Sequence, residues 1–232
     1  MRLSRRLLLA AVLAGLIAGP APAAEPPYLT AGSLDLILLL PPPPLIDSAR
    51  QADEIAAVIA AQQEASPARI AQAAADAEQS VFVMFGGTIG PRFAPAALPR
   101  AGVLFARLGA TEEAVVGPAK AGFDRLRPFL ADPRIRPLVR ESRSGAFPSG
   151  HTTLVTLTAI VLAAMLPERR PASWARADDY AESRVIGGMH YPLDLDGGRR
   201  AGTAIAALLF ADPAFRADFA AARTEVRQAL GL

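Results

Sequence analysis

From Ser48 onward apolar residues recur every three or four positions in alanine-rich text, which is the period of amphipathic helices and not of strands. The spacing predicts helices over 48–65, 66–85, 95–110, 111–127, 151–166, 172–187, 193–210 and 212–230. Ser66-Pro67 reads as an N-cap with a first-turn proline, and Pro167 closes the fifth helix. The most apolar internal stretch, Leu154 to Leu166, is interrupted by threonines and is shorter than the ~20 residues that span a bilayer, so it reads as a buried central helix. No segment reads as a strand, and no repeat of solenoid length is visible. The predicted fold is all-α, a single-domain helical bundle around that central helix. Ahead of it, Pro41 to Pro44 predict an extended N-terminal arm, and the Pro-, Arg- and Ser-rich residues 128–147 predict the one long connection.

The first 23 residues follow a different rule. Three arginines in MRLSRR precede the apolar run LLLAAVLAGLIAG and then small residues around Pro20 and Pro22, the order of a secretory signal peptide cleaved after Ala23 or Ala24. A membrane anchor is the alternative reading, but the apolar run is short of ~20 residues. Ser4-Arg5-Arg6 leaves a twin-arginine route open. The expected organisation is a leader over 1–23 and one domain over 24–232, placing the mature protein in a periplasmic or secreted compartment.

Charge changes meaning once the leader is set aside. Losing Arg2, Arg5 and Arg6 takes three from a formal net charge of +2, so the mature chain is close to neutral and its basic pI is no nucleic-acid footprint. No arginine stripe interleaved with aromatics appears, so no nucleic acid polymer is expected as a partner. There are no cysteines, which removes disulfides and thiolate metal sites. Alanine-rich helix faces would suit a homodimer.

The residues with chemical promise are few. Lys120 is the one lysine among 24 basic residues, and His151 and His190 are the only histidines. Arg127 stands seven residues after Lys120, two helical turns along, while Pro128 biases it away from helical backbone, so the pair can reach one spot from a helix end. Taken alone, two such cations read as a solvated face. In Pro148-Ser149-Gly150-His151 the serine and glycine stand at a helix start, where free N–H groups and the dipole favour an anion, and glycine permits close approach. Ser149 alone would read as an N-cap. Further on, Arg184 adds a cation, Gly187-Gly188 can break the helix, and Asp194 falls four residues after His190. If residues 190–194 form a helical turn, Asp194 accepts from one imidazole nitrogen and leaves the other unprotonated. Together these segments supply anion-binding cations, one nucleophile and one acid.

The order Lys120-x6-Arg127-Pro128, Pro148-Ser149-Gly150-His151, Ser183-Arg184-x5-His190-x3-Asp194 resembles the three-part signature of the type-2 phosphatidic acid phosphatase superfamily. LLLPPPPLIDSARQADE is similar to the tetraproline segment of its bacterial class A non-specific acid phosphatases. The likeness runs from about Tyr28 to Gly202. It implies a phosphomonoesterase in which His190 attacks phosphorus to form a phosphohistidine, Asp194 holds the His190 ring, and His151 protonates the departing alkoxide and then activates water. Lys120, Arg127, Arg184, Ser149 and the Gly150 amide would bind the phosphoryl oxygens. The same likeness implies small-molecule phosphate monoesters as substrates, an acidic optimum, and neither metal nor cofactor. Its alternatives are a vanadium haloperoxidase, since the same cradle can hold vanadate, and a membrane lipid phosphate phosphatase, which would need several apolar spans that the mature chain lacks.

Overall fold

Several helix starts in this chain are written by short polar caps, two of them followed by proline. Ser66 Oγ accepts from the Arg69 amide at 3.2 Å ahead of Pro67, Asp212 Oδ1 accepts from the Phe215 amide at 2.8 Å ahead of Pro213, and Ser48 Oγ accepts from the Gln51 amide at 3.2 Å. The computed structural model describes residues 25–232, so the leader expected over 1–23 lies outside the described residues. Within them the chain is all-α: α1 (Leu36–Leu39), α2 (Ala49–Glu64), α3 (Pro67–Ala75), α4 (Val81–Ile89), α5 (Pro99–Phe123), α6 (Pro128–Ala131), α7 (Gly150–Met165), α8 (Arg170–Ile186), α9 (Pro192–Ala211) and α10 (Pro213–Leu230). No strand occurs among the described residues, and no helix there is long and apolar enough to cross a membrane.

α7 is the buried centre. Twelve of its sixteen residues are buried, and two of its threonines are held by local bonds, Thr152 Oγ1 donating to Ser149 Oγ at 3.0 Å and Thr153 Oγ1 to the Ser149 carbonyl at 2.8 Å. α9 lies against it closely because Gly198 and Gly202 face α7: a Cβ at Gly202 would stand 2.6 Å from the Thr153 carbonyl oxygen, and one at Gly198 2.7 Å from that of Ser149. Leu104 and Leu108 of α5, Val155 and Leu162 of α7, Ile205 and Leu209 of α9, and Phe215 and Val226 of α10 form one core. Each such side chain removed from water contributes about 1.5–3 kcal/mol. A smaller cluster of Val58, Ile135, Ala181, Val185, Tyr191 and Leu195 seats α2 against α8 and α9. That seat brings the first turns of α2 behind the site described below.

Two of the predicted elements differ. The helix read over 66–85 is two helices, α3 and α4, parted at Asp76. Asp76 is buried and takes Ser183 Oγ at 2.6 Å and Arg176 Nη2 at 2.6 Å, contacts that hold the chain out of helical register and free the following carbonyls. The helices read over 95–110 and 111–127 are the single α5, which ends earlier, at Phe123. Thr111 lies inside it because its hydroxyl donates back to the Arg107 carbonyl at 2.7 Å and accepts from the Tyr28 amide at 2.9 Å. Pro118 sits within α5 between the buried Val116 and Ala119. The 128–147 connection also contains the short α6.

Candidate active site

Several helix ends converge on one cavity of about 580 Å³. α5 carries Lys120 in its last turn, after which Asp124 takes left-handed backbone (φ 43°) and Arg127 follows in extended backbone as the cap of α6. Lys120 and Arg127 therefore meet across a chain reversal and not along one helix face. α7 contributes Gly150 and His151 from its first turn, α8 contributes Arg184 from its last, and the bend between α8 and α9 contributes His190. That bend depends on Gly188 (φ 71°), where a Cβ would lie 2.9 Å from the Arg136 carbonyl oxygen. Lys120, Arg127, Gly150, His151, Arg184 and His190 all line the cavity.

Ser149 and Asp194 stand fully buried behind that wall. Ser149 is the N-cap of α7: its Oγ accepts from the Thr152 amide at 3.3 Å and from Thr152 Oγ1 at 3.0 Å, and its own amide donates to the Asp194 carbonyl at 3.0 Å. Asp194 lies in the first turn of α9, while His190 precedes that helix. Its Oδ2 is 3.3 Å from His190 Nδ1 and accepts the Tyr191 amide at 2.9 Å. On the far side of the ring, Arg127 Nη1 lies 3.1 Å from His190 Nε2. A guanidinium can only donate, so this geometry puts the proton on Nδ1 and a lone pair on Nε2. Burial, then the charges of Arg127, Lys120 and Arg184, hold His190 well below its ordinary value and keep it neutral.

The cations are short of partners for their charge. Lys120 Nζ donates to the Gly145 carbonyl at 3.0 Å, and burial followed by repulsion from Arg127 lowers it to about 7. Arg127 is anchored to the connection by Nε on the Ser144 carbonyl at 2.9 Å, and burial lowers it to about 10. Arg184 is 2% exposed, and its Nε and Nη1 have no hydrogen-bond partner among the described residues. An unpartnered buried guanidinium is costly unless an anion completes it. His151 stacks on Tyr180 with centroids 6.2 Å apart and places Nε2 3.2 Å from the Ala77 carbonyl. Burial and then Arg184 push it down to about 3. The break between α3 and α4 thus supplies a backbone acceptor that orients this ring.

Sequence reasoning missed the support behind Asp194. Arg125 Nη1 lies 2.5 Å from Asp194 Oδ1, while its Nη2 meets Gln51 Oε1 at 2.7 Å and Glu54 Oε2 at 3.1 Å, and the guanidinium sits 4.1 Å over the Tyr191 ring. Burial raises the Asp194 carboxyl, and Arg125 is the strongest influence opposing that rise. Glu112, also absent from the sequence reading, lines the cavity beside Lys120. Arg125 carried a faint signal, two residues before Arg127; nothing in the sequence tied Gln51, Glu54 or Glu112 to the site.

Residues 101–218 match a family model described as PAP2 superfamily. A non-specific acid phosphatase of Salmonella typhimurium is 38% identical over 112 residues, 47% of this chain and 45% of the relative. An acid phosphatase of Zymomonas mobilis is 31% identical over 140 residues, 58% of this chain and 52% of its own. The matches therefore span about half the length of these relatives. The crystal structure of a transmembrane PAP2 type phosphatidylglycerolphosphate phosphatase from Bacillus subtilis superposes with a TM-score of 0.54 at 22% identity, covering 70% of this chain and 86% of that one, which is a likeness of fold.

Proposed function

Because the chain belongs to the PAP2 superfamily, we propose that it is an exported acid phosphatase, hydrolysing a broad range of organic phosphate monoesters through a phosphohistidine on His190 without a metal ion. The observation that carries the reading is the buried Arg184, two of whose side-chain nitrogens lack partners among the described residues and which lines the cavity together with both imidazoles. Lys120, Arg127 and Arg184 oppose a divalent cation and favour an oxyanion. Together with the Gly150 amide at the start of α7 and the Ser149 hydroxyl behind it, they hold the three equatorial phosphoryl oxygens.

Catalysis then follows from the two rings. The His190 Nε2 lone pair attacks phosphorus as the bond to the ester oxygen breaks, and Asp194 stabilises the positive ring through Nδ1–H. His151 gives a proton to the departing alkoxide. In the unliganded site burial and cations keep His151 neutral, but a bound phosphoryl dianion offsets Arg184, Lys120 and Arg127 and returns the ring toward its ordinary value. The substrate thereby creates the acid it needs. With Nε2 committed to the Ala77 carbonyl, the proton passes from Nδ1. Neutral His151 next takes a proton from water, the hydroxide attacks the phosphohistidine, the P–N bond returns its pair to His190, and inorganic phosphate leaves.

The test is hydrolysis of a chromogenic aryl phosphate by the purified protein. Wild type is expected to turn over after dialysis against a chelator and to be inhibited competitively by vanadate, and His190→Ala is expected to lose turnover. Residual wild-type-like hydrolysis by His190→Ala would remove the nucleophile assignment. Activity restored only by a divalent ion would remove metal independence.

A further inference from the structure

Two carboxylates, Glu112 and Glu113, line the cavity without a task in the mechanism, and Glu112 is the buried one. It precedes Lys120 by eight residues on α5, about two turns along the same face, and is 8% exposed. It rests against the first residue of α7: a Cβ at Gly150 would stand 2.6 Å from Glu112 Oε1 and 3.7 Å from Lys120 Cε. Lys120 does not pair with it, turning its Nζ to the Gly145 carbonyl instead, and among the described residues no hydrogen bond or ion pair reaches the Glu112 carboxyl. A buried carboxylate without donors is already costly, and one facing an oxyanion also repels it. A protonated carboxyl reverses both effects, because it offers a donor and carries no charge.

We propose that Glu112 is a proton-carrying wall of the oxyanion cradle: protonated, its O–H donates to the bound anion, and ionised, it opposes that anion. Burial pushes this carboxyl up to about 7, with Lys120 pulling it down and Glu113 adding to the rise. From the same helix, then, Lys120 and Glu113 face it. Across the cavity stand His151 of α7, Arg184 of α8 and, on the connections, Arg127, Arg140 and His190. In the unliganded site the two histidines are neutral above acidic pH and the guanidinium groups keep their charge. A bound anion draws His151 back toward its ordinary value, which adds pH dependence on the acid side of neutrality, whereas Glu112 and Lys120 are the groups of the unliganded site that change charge near neutrality, and both changes weaken anion binding as pH rises. Glu112 makes the site release its anion above neutral pH. The inference deepens the phosphatase reading and rests on its cradle, but not on turnover.

Sulfate is the probe, since it stays doubly charged from pH 5 to 9, and the readout is its affinity by calorimetry on the purified protein. Wild-type affinity is expected to fall between pH 6.5 and 8.5, approaching tenfold per pH unit for each group that titrates. Glu112→Gln keeps an N–H donor without charge, so it is expected to match wild type at pH 5.5 and to bind about tenfold tighter than wild type at pH 8.5. If Glu112 instead sustains the charge on Lys120, Glu112→Gln binds more weakly at pH 8.5, and that sign overturns the proposal. Equal affinities at every pH overturn it too, as does a wild-type affinity that does not fall between pH 6.5 and 8.5, a result that needs no variant. Failure to hydrolyse aryl phosphates would sink the phosphatase reading while leaving this measurement intact.

Discussion

Replacing Arg125 with methionine cuts the buried contacts behind His190 while refilling most of the side-chain volume. The Arg125 side chain is 4% exposed and Asp194 is fully buried, with Nη1 2.5 Å from Oδ1. Removing one member of a buried ion pair costs about 3–5 kcal/mol, because the other charge is stranded. Methionine packs where the arginine stem lay, so the lower end, about 3 kcal/mol, is expected, lowering Tm by roughly 6–12 °C for a chain of this length. Stranded, Asp194 stays protonated to higher pH, since burial already raises it and Arg125 was its main counterweight. Arg127 still holds the lone pair on His190 Nε2, but a protonated Asp194 no longer accepts from Nδ1–H and no longer stabilises positive charge on the ring. Losing the carboxylate that orients a catalytic imidazole costs up to about 10⁴ in kcat. KM is expected to change little, because Arg125 does not line the cavity that holds Lys120, Arg127 and Arg184. The pH profile gives a separate sign: Asp194 must be ionised, a raised carboxyl stays protonated to higher pH, and so the acid limb of kcat moves upward in pH. Steady-state kinetics across pH, beside thermal melts, measures all three. A folded Arg125→Met protein with wild-type kcat and an unmoved acid limb refutes the account.

Two further outcomes follow from packing and linkage. Gly202→Ala places a methyl 2.6 Å from the Thr153 carbonyl oxygen and 3.0 Å from Thr156 Cβ, so overpacking of about 1–3 kcal/mol is expected to outweigh the gain of about 1 kcal/mol in helix propensity; an unchanged or higher urea midpoint contradicts the tight α7–α9 contact. At Asp76 burial acts to raise the carboxyl, but the hydrogen bonds from Arg176 and Ser183 outweigh it and hold the value below 3.8. A depressed folded value stabilises the protein above the unfolded one and is lost as pH falls through it, so Asp76→Asn is expected to be less stable than wild type at pH 7, with the gap closing below about pH 4. A gap that persists undiminished at pH 2.5 counts against that linkage.

The readable parts of this chain are those whose meaning is local. A serine, glycine and histidine at a helix start, or a histidine four residues before an aspartate, carry their geometry in their spacing, and the structure gathers His151, His190, Lys120, Arg127 and Arg184 on one cavity. The unreadable parts depend on contacts between distant segments. Thr111 looked like a helix start, but its hydroxyl is satisfied inside α5 by Arg107 and Tyr28. The break at Asp76 exists because Arg176 and Ser183, a hundred residues on, are there to receive it. Gln51 and Glu54 look like ordinary polar positions of an amphipathic helix until α2 is seated and Arg125 turns toward them.

That relay from α2 through Arg125 to Asp194 and the His190 ring offers an engineer a remote dial. Residues 51 and 54 lie ahead of the family match at 101–218 and outside the lining of the cavity, yet they hold the guanidinium that pairs with Asp194. Libraries confined to that one outer helix would shift the titration of Asp194 while every group that lines the cavity stays as it is.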